Sequence, residues 1–239
     1  MANVIEKPTR TVAPKKPGIY PRGSETVNAI LRAALQVLIE EGASAFTLRR
    51  IAQQCGLNVG NVSRHFPRKE MLVQVLLEEL LSGAGFAERT NLPAEEALAL
   101  IISGSYDQIS SKSMTNLFIE LWAMANHNDF VADRVEASYR YVHDMISPFV
   151  AELNPALSPA EVDAVALYIN ATIEGSTMLA GFGKPWCSMM PQMKAIAVRS
   201  LVHVAKTITP KEIEALPVNS REPTYPEIAL GRMLGEVRP

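Results

Sequence analysis

Apolar residues recur every three or four positions along most of this chain, which is the period of an amphipathic helix. The first such stretch begins near Ser24 and ends at Gly42, a residue type that commonly closes helices. Its apolar residues keep to one face: Val27, Ile30, Leu31, Ala34, Leu35, Leu38 and Ile39. No segment shows the strict alternation of apolar and polar residues typical of a half-buried strand. The pattern therefore predicts an all-α protein.

Two short helices and then a longer one are predicted directly after the first one. Thr47 is a good N-cap for a helix that runs to Cys55, and Gly56 breaks that helix. Asn58 caps the next helix, from Val59 to Phe66, which Pro67 stops. A fourth helix is predicted from Arg68 to about Leu81.

The rest of the chain also has only helical periodicity. Residues 82–92 lose the pattern and are interpreted as a connection. Two sequences, Ser158 to Glu161 and Thr209 to Glu212, are capping boxes that begin helices. Pro148 is expected to kink or split the helix that contains it. The predicted helices are Pro93–Ile109, Met114–Ala125, Asp129–Leu153, 159–180 and Pro191–Thr207, with a short one after Thr209.

The two short helices around Gly56 favour a helix-turn-helix, the arrangement that lays one helix in the major groove of DNA. Val62 and Phe66 are four residues apart, so they point together and should pack with Leu57 and Ile51. The other side of the second helix then faces outward. It carries Val59, Gly60, Asn61, Ser63, Arg64 and His65.

That outward set suits base recognition, because Asn pairs with adenine, Arg with guanine, and Ser with a base edge or a phosphate. Thr47, Arg49 and Lys69 stand at helix starts, where they can hold phosphates. Residues 1–70 carry 11 Lys/Arg against 5 Asp/Glu, whereas residues 71–239 carry 12 against 20. A basic first part on an acidic body fits a polyanionic partner. Taken singly, each basic residue is more simply a solvated surface charge, and Asn58 is foremost a structural cap. Taken together with the caps, the glycine turn and the charge asymmetry, they favour DNA binding.

Residues 47–72 resemble the DNA-binding signature of TetR/AcrR-type regulators. The matching positions are Thr47, Ile51, Ala52, Gly56, Gly60, Phe66, Lys69, Glu70 and Leu72. The resemblance implies an all-helical dimer with a divergent effector pocket. Ser63, Arg64 and His65 depart from the aromatic and histidine residues usual in the family, and Ser63 replaces a phosphate-binding tyrosine.

The C-terminal body offers candidate ligand residues rather than a motif. Aromatic and polar-tipped side chains that suit an apolar pocket with a few hydrogen-bonding groups are Phe118, Trp122, His127, Tyr139, His143, Tyr168 and Thr172. For any single one of them, a role as core filler is the simpler interpretation. The family pairs its last two long helices, so residues 161–180 and 191–207 are the expected dimer surface. Small residues such as Ala164, Ala171 and Gly175 would let helices approach closely.

The sequence predicts four regions: a flexible basic arm (1–22), the helix-turn-helix domain (23–81), an effector-binding and dimerisation domain (82–207), and a tail with a short helix (208–239). The expected protein is a cytoplasmic homodimeric repressor that binds palindromic operator DNA and is released by a small, largely apolar effector. We expect no metal, cofactor or membrane partner, since the two cysteines lack zinc-site spacing and no apolar run is long enough for a span. A helical enzyme and a ligand-independent DNA-binding protein are the alternatives.

Overall fold

A computed structural model describes residues 25–82 and 92–214, together with residue 233. The basic arm, most of the 82–92 connection and most of the C-terminal tail lie outside the described residues. The described chain is helical, without a β-strand. Its elements are α1 (Glu25–Glu41), α2 (Leu48–Gln54), α3 (Val59–His65), α4 (Lys69–Ser82), α5 (Ala94–Ile109), α6 (Lys112–Ala125), α7 (Asp129–Leu153), α8 (Pro159–Ala180), a 3₁₀ turn (Cys187–Met189), α9 (Met190–Thr207) and α10 (Pro210–Ile213).

The all-α prediction is confirmed, and the differences lie at helix ends. Helix α6 begins at Lys112 rather than Met114, because Ser111 Oγ accepts a hydrogen bond from the Met114 amide at 3.2 Å and caps the helix. Helix α3 ends at His65, one residue before the predicted end. Helix α9 begins one residue early, because a 3₁₀ turn leads into it.

Pro148 does not split α7, which runs unbroken from Asp129 to Leu153. Proline removes one backbone donor from the helix, but Pro148 is exposed, so water can bond the carbonyl left without a partner. Ile146 and Val150, on either side of it, are fully buried in the same core. Packing therefore holds both halves of α7 in one helix.

Two clusters of buried residues organise the fold. One is built by α1 to α4 together with Leu117, Leu121 and Met124 of α6 and Val131 and Val135 of α7. The other is built by α5, the second half of α7, α8 and α9. The first four helices, which we call the reading head, therefore share a core with α6 and α7.

Polar contacts reinforce this junction at two places. At the end of α1, Glu120 Oε2 accepts a hydrogen bond from the Ala43 amide at 2.6 Å, and Asn116 Nδ2 donates to the Ile39 carbonyl at 3.0 Å. Gly42 lies at this contact with φ of +83°, and the Glu120 carboxylate occupies the space that a Cβ would need. The end of α1 is thus bonded to α6.

The second polar contact joins the start of α4 to the start of α7. Asn128 Nδ2 donates to Glu70 Oε1 at 3.4 Å. Next to it, the Phe130 ring lies within cation–π distance of two guanidinium groups, Arg68 at 5.7 Å and Arg134 at 4.8 Å. The reading head therefore contacts the body through the end of α1 and the start of α4.

Among the residues that the structure describes, no helix combines the length and the apolar character that a bilayer crossing requires.

Thr115 joins three elements inside the body. Its hydroxyl is fully buried, donates to the Ile109 carbonyl at 2.7 Å and accepts from the Phe182 amide at 2.9 Å. Replacing Thr115 by Val keeps the shape and removes the hydroxyl partner of the buried Ile109 carbonyl and of the partly buried Phe182 amide. We expect a loss of about 1–3 kcal/mol in the free energy of unfolding. Chemical denaturation measures this loss, and Ser113→Ala on the exposed side of α6 is the control. An unchanged midpoint in Thr115→Val would contradict the bridging role.

Candidate nucleic-acid interface and effector site

The two predicted caps begin the two helices of the helix-turn-helix, Thr47 at α2 and Asn58 at α3. Thr47 Oγ1 accepts a hydrogen bond from the Arg50 amide at 3.1 Å, and Asn58 Oδ1 accepts one from the Asn61 amide at 2.8 Å. Between the helices, Gly56 has φ of +69°, a conformation that other residues rarely adopt. The predicted capping roles of Thr47 and Asn58 are confirmed.

The inner face of α3 also follows the prediction. Val62, Phe66 and Ile51 are completely buried, and Leu57 is half-buried against them. The opposite face is open to solvent, with Val59, Gly60 and Arg64 exposed and Asn61, Ser63 and His65 partly exposed. Ser63 Oγ donates to the Gly60 carbonyl at 3.3 Å, so this hydroxyl is available as an acceptor. The fold thus presents one face of a short helix with mostly polar side chains.

The basic residues of the head divide into two groups. Arg50 is paired within the head: its guanidinium donates to Glu41 at 2.6 Å and to Gln54 at 2.8 Å. Across residues 25–82 and 92–214, Arg49, Arg64 and Lys69 make no ion pair. These three cations remain available to an anionic partner next to the open face of α3.

Of the seven predicted ligand residues, the structure brings together Trp122 and Tyr139. Trp122 Nε1 donates a hydrogen bond to the Tyr139 hydroxyl, which joins α6 to α7. Phe118 is half-buried one helical turn before Trp122.

The other four predicted ligand residues lie elsewhere. His127 is exposed in the turn between α6 and α7. His143 bonds the Asp163 carbonyl at 3.1 Å, and Thr172 Oγ1 donates to the backbone of Tyr168 at 2.8 Å. The side chain of Tyr168 is 54% exposed on the outer side of α8. No hydrogen bond or ion pair among the described residues connects these four with the Trp122–Tyr139 pair.

Glu174 of α8 lies near enough to Tyr139 for its charge to act on that hydroxyl, and it was not among the predicted ligand residues. Its Oε2 atom is buried and has no hydrogen-bond partner. Burial raises the pKa of Glu174 to about 7. Burial and the nearby charge of Glu174 together raise the pKa of Tyr139, and the hydrogen bond with Trp122 offsets part of that rise. The sequence signal was available, because Glu174 lies one turn from Asn170 and Thr177 on the buried stripe of α8.

The outer side of α8 carries a continuous apolar stripe. Large apolar side chains are about half exposed or more at Leu167, Tyr168, Met178, Leu179 and Phe182. Ala164 precedes them, Ala171 and Gly175 lie between them, and all three are also exposed. We call these eight residues the outer stripe. A surface of this kind is typical of an association interface.

A separate open groove of about 790 Å³ lies between α5 and α9. Apolar side chains such as Ala99, Ile196 and Val202 line it, and the Lys206–Glu95 ion pair at 2.7 Å lies at the same place. None of the seven predicted ligand residues lines this groove. It is distinct from the cluster of Trp122, Tyr139 and Glu174.

Two family profiles match the chain. Residues 30–76 match the profile described as bacterial regulatory proteins of the tetR family, and residues 93–204 match the C-terminal region of BetI-type transcriptional repressors. The HTH-type transcriptional regulator BetI of Escherichia coli is 26% identical over 165 residues, which cover 65% of this chain and 83% of the relative.

Solved structures of transcriptional regulators share the fold. One from Rhodococcus sp. Rha1 has a TM-score of 0.63 at 19% identity and covers 77% of this chain and 100% of its own. One from Saccharomonospora viridis, in complex with choline, has a TM-score of 0.61 at 18% identity and covers 76% and 97%. FadR from Bacillus subtilis, in complex with stearoyl-CoA, has a TM-score of 0.58 at 18% identity and covers 76% and 98%.

These matches are to transcriptional regulators and not to enzymes, and they agree with the capped helix-turn-helix and the helical body. The chain belongs to the TetR family of helix-turn-helix transcriptional regulators.

Proposed function

We propose that this regulator is a repressor that binds a palindromic operator as a homodimer and releases it when a small molecule binds the body. The observation that carries the proposal is the shared core of the reading head, α6 and α7. A head that is packed on the body cannot keep its position when α6 or α7 moves. We further propose that the protein acts in the cytoplasm, where its operator lies.

The open face of α3 supports operator recognition. Arg64 and Asn61 are the side chains there with the hydrogen-bonding groups that read guanine and adenine in the major groove. Arg49 and Lys69 lie at the first residues of α2 and α4, where they suit contacts to phosphates on either side of the groove. Thr47 and Asn58 serve first as caps, and Val59, Gly60, Ser63 and His65 complete the surface.

The outer stripe supports dimerisation. Leu167, in the middle of α8, is 60% exposed, and Leu179, near its end, is 54% exposed. Burying such side chains against a second copy releases roughly 25 cal/mol for each Å² of apolar surface removed from water. Two reading heads are also required to contact successive major grooves, which lie about 34 Å apart. The dimer would thus supply the spacing that a palindromic operator needs.

The bonds between α1 and α6 support release by an effector. Glu120 and Asn116 hold the end of α1. Trp122 of the same helix is bonded to Tyr139 of α7, which lies near Glu174. A ligand that shifts α6 would therefore move α1 and change the spacing of the two heads. The choline and stearoyl-CoA complexes of two structural relatives are consistent with a ligand-binding body. A ligand-independent DNA-binding protein would keep the same operator affinity whatever the body binds.

One test of operator recognition concerns Arg64. Replacing it by Ala should relax specificity at one base position and cost about 1–3 kcal/mol on the preferred operator. Selection of bound sequences from a random DNA pool, followed by affinity measurements on the selected sites, tests this. Arg140→Ala removes the same charge from an exposed place in the body and should leave the preference unchanged. An equal loss on all sequences would instead identify Arg64 as a phosphate contact.

A test of the dimer interface concerns Leu167. A charge at this position cannot be buried against a second copy, so Leu167→Glu should weaken dimerisation at least tenfold, for which about 1.4 kcal/mol suffices. Analytical ultracentrifugation measures the dimerisation constant, and operator affinity should fall with it. Leu100→Glu is the matched control, because Leu100 of α5 is 49% exposed away from the stripe. If Leu167→Glu remains as dimeric as the wild type, the outer stripe is not the interface.

A further inference from the structure

The side chain of Phe130 lies at the junction between the reading head and the body, with two guanidinium groups over its ring. The Cζ atom of Arg134 is 4.8 Å from the ring centroid, and that of Arg68 is 5.7 Å from it. Both distances are within the range of a cation–π interaction. Phe130 is half-buried near the start of α7, and the next residue, Val131, is fully buried in the core that the head shares with the body. The core therefore fixes where this ring lies relative to the head.

Among the described residues, neither of the two guanidinium groups has a carboxylate partner. No described Asp or Glu oxygen lies within 4.0 Å of a nitrogen of Arg68 or Arg134. Glu70 is the carboxylate nearest to Arg68 along the chain, and its Oε1 atom accepts a hydrogen bond from Asn128 instead. The Nε atom of Arg134 is sealed from solvent and has no hydrogen-bond partner in the described part of the chain. Two positive charges thus share one ring without a described counter-charge.

Arg68 occupies the position directly before α4. The Met71 amide donates to the Arg68 carbonyl at 3.2 Å, so the backbone of Arg68 begins the first turn. At the starts of α2 and α3, the side-chain oxygens of Thr47 and Asn58 cap the helix, whereas an arginine side chain has no acceptor. A positive charge is also unfavourable at a helix start, where the peptide dipoles place partial positive charge. Helix formation therefore does not explain Arg68, and its exposed guanidinium keeps its N–H donors available.

We propose that Arg68 contacts a phosphate of the operator backbone and that Phe130 is the positioning residue that holds it there. The inference rests on the proposed function, in which Lys69, the next residue, contacts a phosphate beside the groove. A guanidinium group suits this role, because its planar donors can bond two phosphate oxygens at once. The ring of Phe130 restricts the positions open to Arg68, so less side-chain entropy is lost when a phosphate is bound.

Arg134 strengthens the preference for an anion at this place. It belongs to α7, four residues after Phe130, and its charge lies over the same ring. Like charges repel each other, and an anion beside them offsets that repulsion. Inorganic phosphate offers the same chemistry as the DNA backbone. The backbone is the source that we propose, because Arg68 adjoins Lys69 at the start of α4, on the operator-binding head.

The position of Phe130 also connects the state of the body with DNA affinity. Phe130 and Val131 both belong to α7, so a displacement of α7 would move the ring relative to Arg68. Arg68 would then lose the contact that positions it, and the head would bind the DNA backbone more weakly. This effect differs from a change in the spacing of the two heads, because it acts within one head.

The salt dependence of DNA binding tests the phosphate contact. Fluorescence anisotropy compares the wild-type full chain with Arg68→Ala, on the selected operator and on an unrelated duplex, from about 50 to 200 mM NaCl. A phosphate contact is insensitive to sequence, so Arg68→Ala should weaken binding to both duplexes by the same factor, about 5-fold. The slope of log affinity against log salt should become shallower by about 0.9 for each head. Arg140→Ala removes an exposed charge from the body and should change neither quantity.

A double-mutant cycle tests the positioning role of the ring. Phe130→Leu should weaken operator binding about 3-fold while Arg68 is present. In the Arg68→Ala background the same substitution should have no further effect, because no guanidinium is left to position. Phe130→Tyr keeps the ring and should retain wild-type affinity. Phe149→Leu makes the matched change at a half-buried position near the other end of α7 and should leave affinity unchanged.

The proposal is overturned if Arg68→Ala keeps the wild-type affinity and slope on both duplexes. Because Arg68 is exposed, this variant tests the contact even if Phe130→Leu does not fold. Equal weakening by Phe130→Leu with and without Arg68 would mean that the ring is purely structural. A loss confined to the preferred operator would identify Arg68 as a base contact. Inorganic phosphate that binds the free protein more tightly than about 1 mM, and does not bind Arg68→Ala, would assign Arg68 to a small anion. Each of these three results also overturns the proposal.

Sequence preference separates this inference from the proposed function. If the wild type prefers a selected operator and Arg68→Ala matches it in affinity and slope, operator recognition stands and the Arg68 contact is wrong. If the wild type shows no sequence preference, the repressor proposal is wrong. The unrelated duplex then still shows, through the salt slope, whether Arg68 contacts a phosphate.

Discussion

The packing of α6 into the reading head is the interaction on which the rest of the structure depends. Helices α2 and α3 have seven residues each, and helices of this length are not stable alone in water. Leu117, Leu121 and Met124 of α6 supply part of the buried core that holds them. The helix-turn-helix is therefore not self-sufficient, and the orientation of its open face is fixed by a helix of the body.

Because of this dependence, the position of the head is set by its contacts with the body. Glu120 and Asn116 bond the end of α1, while Asn128 and Phe130 contact the start of α4. The head is thus attached at two places, one on α6 and one on α7. The Trp122–Tyr139 bond joins the same two helices further into the body. A change in that hydrogen bond would therefore act on α6 and α7, the two helices to which the head is attached.

Helix α8 has different chemistry on its two sides. Its inner side carries Glu174 toward α7, and its outer side carries the exposed outer stripe with Leu167 and Leu179. The same helix thereby borders the Trp122–Tyr139 pair and the proposed dimer interface.

The sequence by itself determined the helices, the Thr47 and Asn58 caps and the inner face of α3, because caps, glycine turns and helical periodicity act over a few residues. Only the tertiary structure decided which distant side chains meet. Trp122, Tyr139 and Glu174 come from three helices, and Arg50 is paired with Glu41 nine residues earlier. The unbroken course of α7 through Pro148 likewise depends on long-range packing. Local sequence patterns do not reveal such pairings, because burial and side-chain contacts between distant residues arise only when the helices pack.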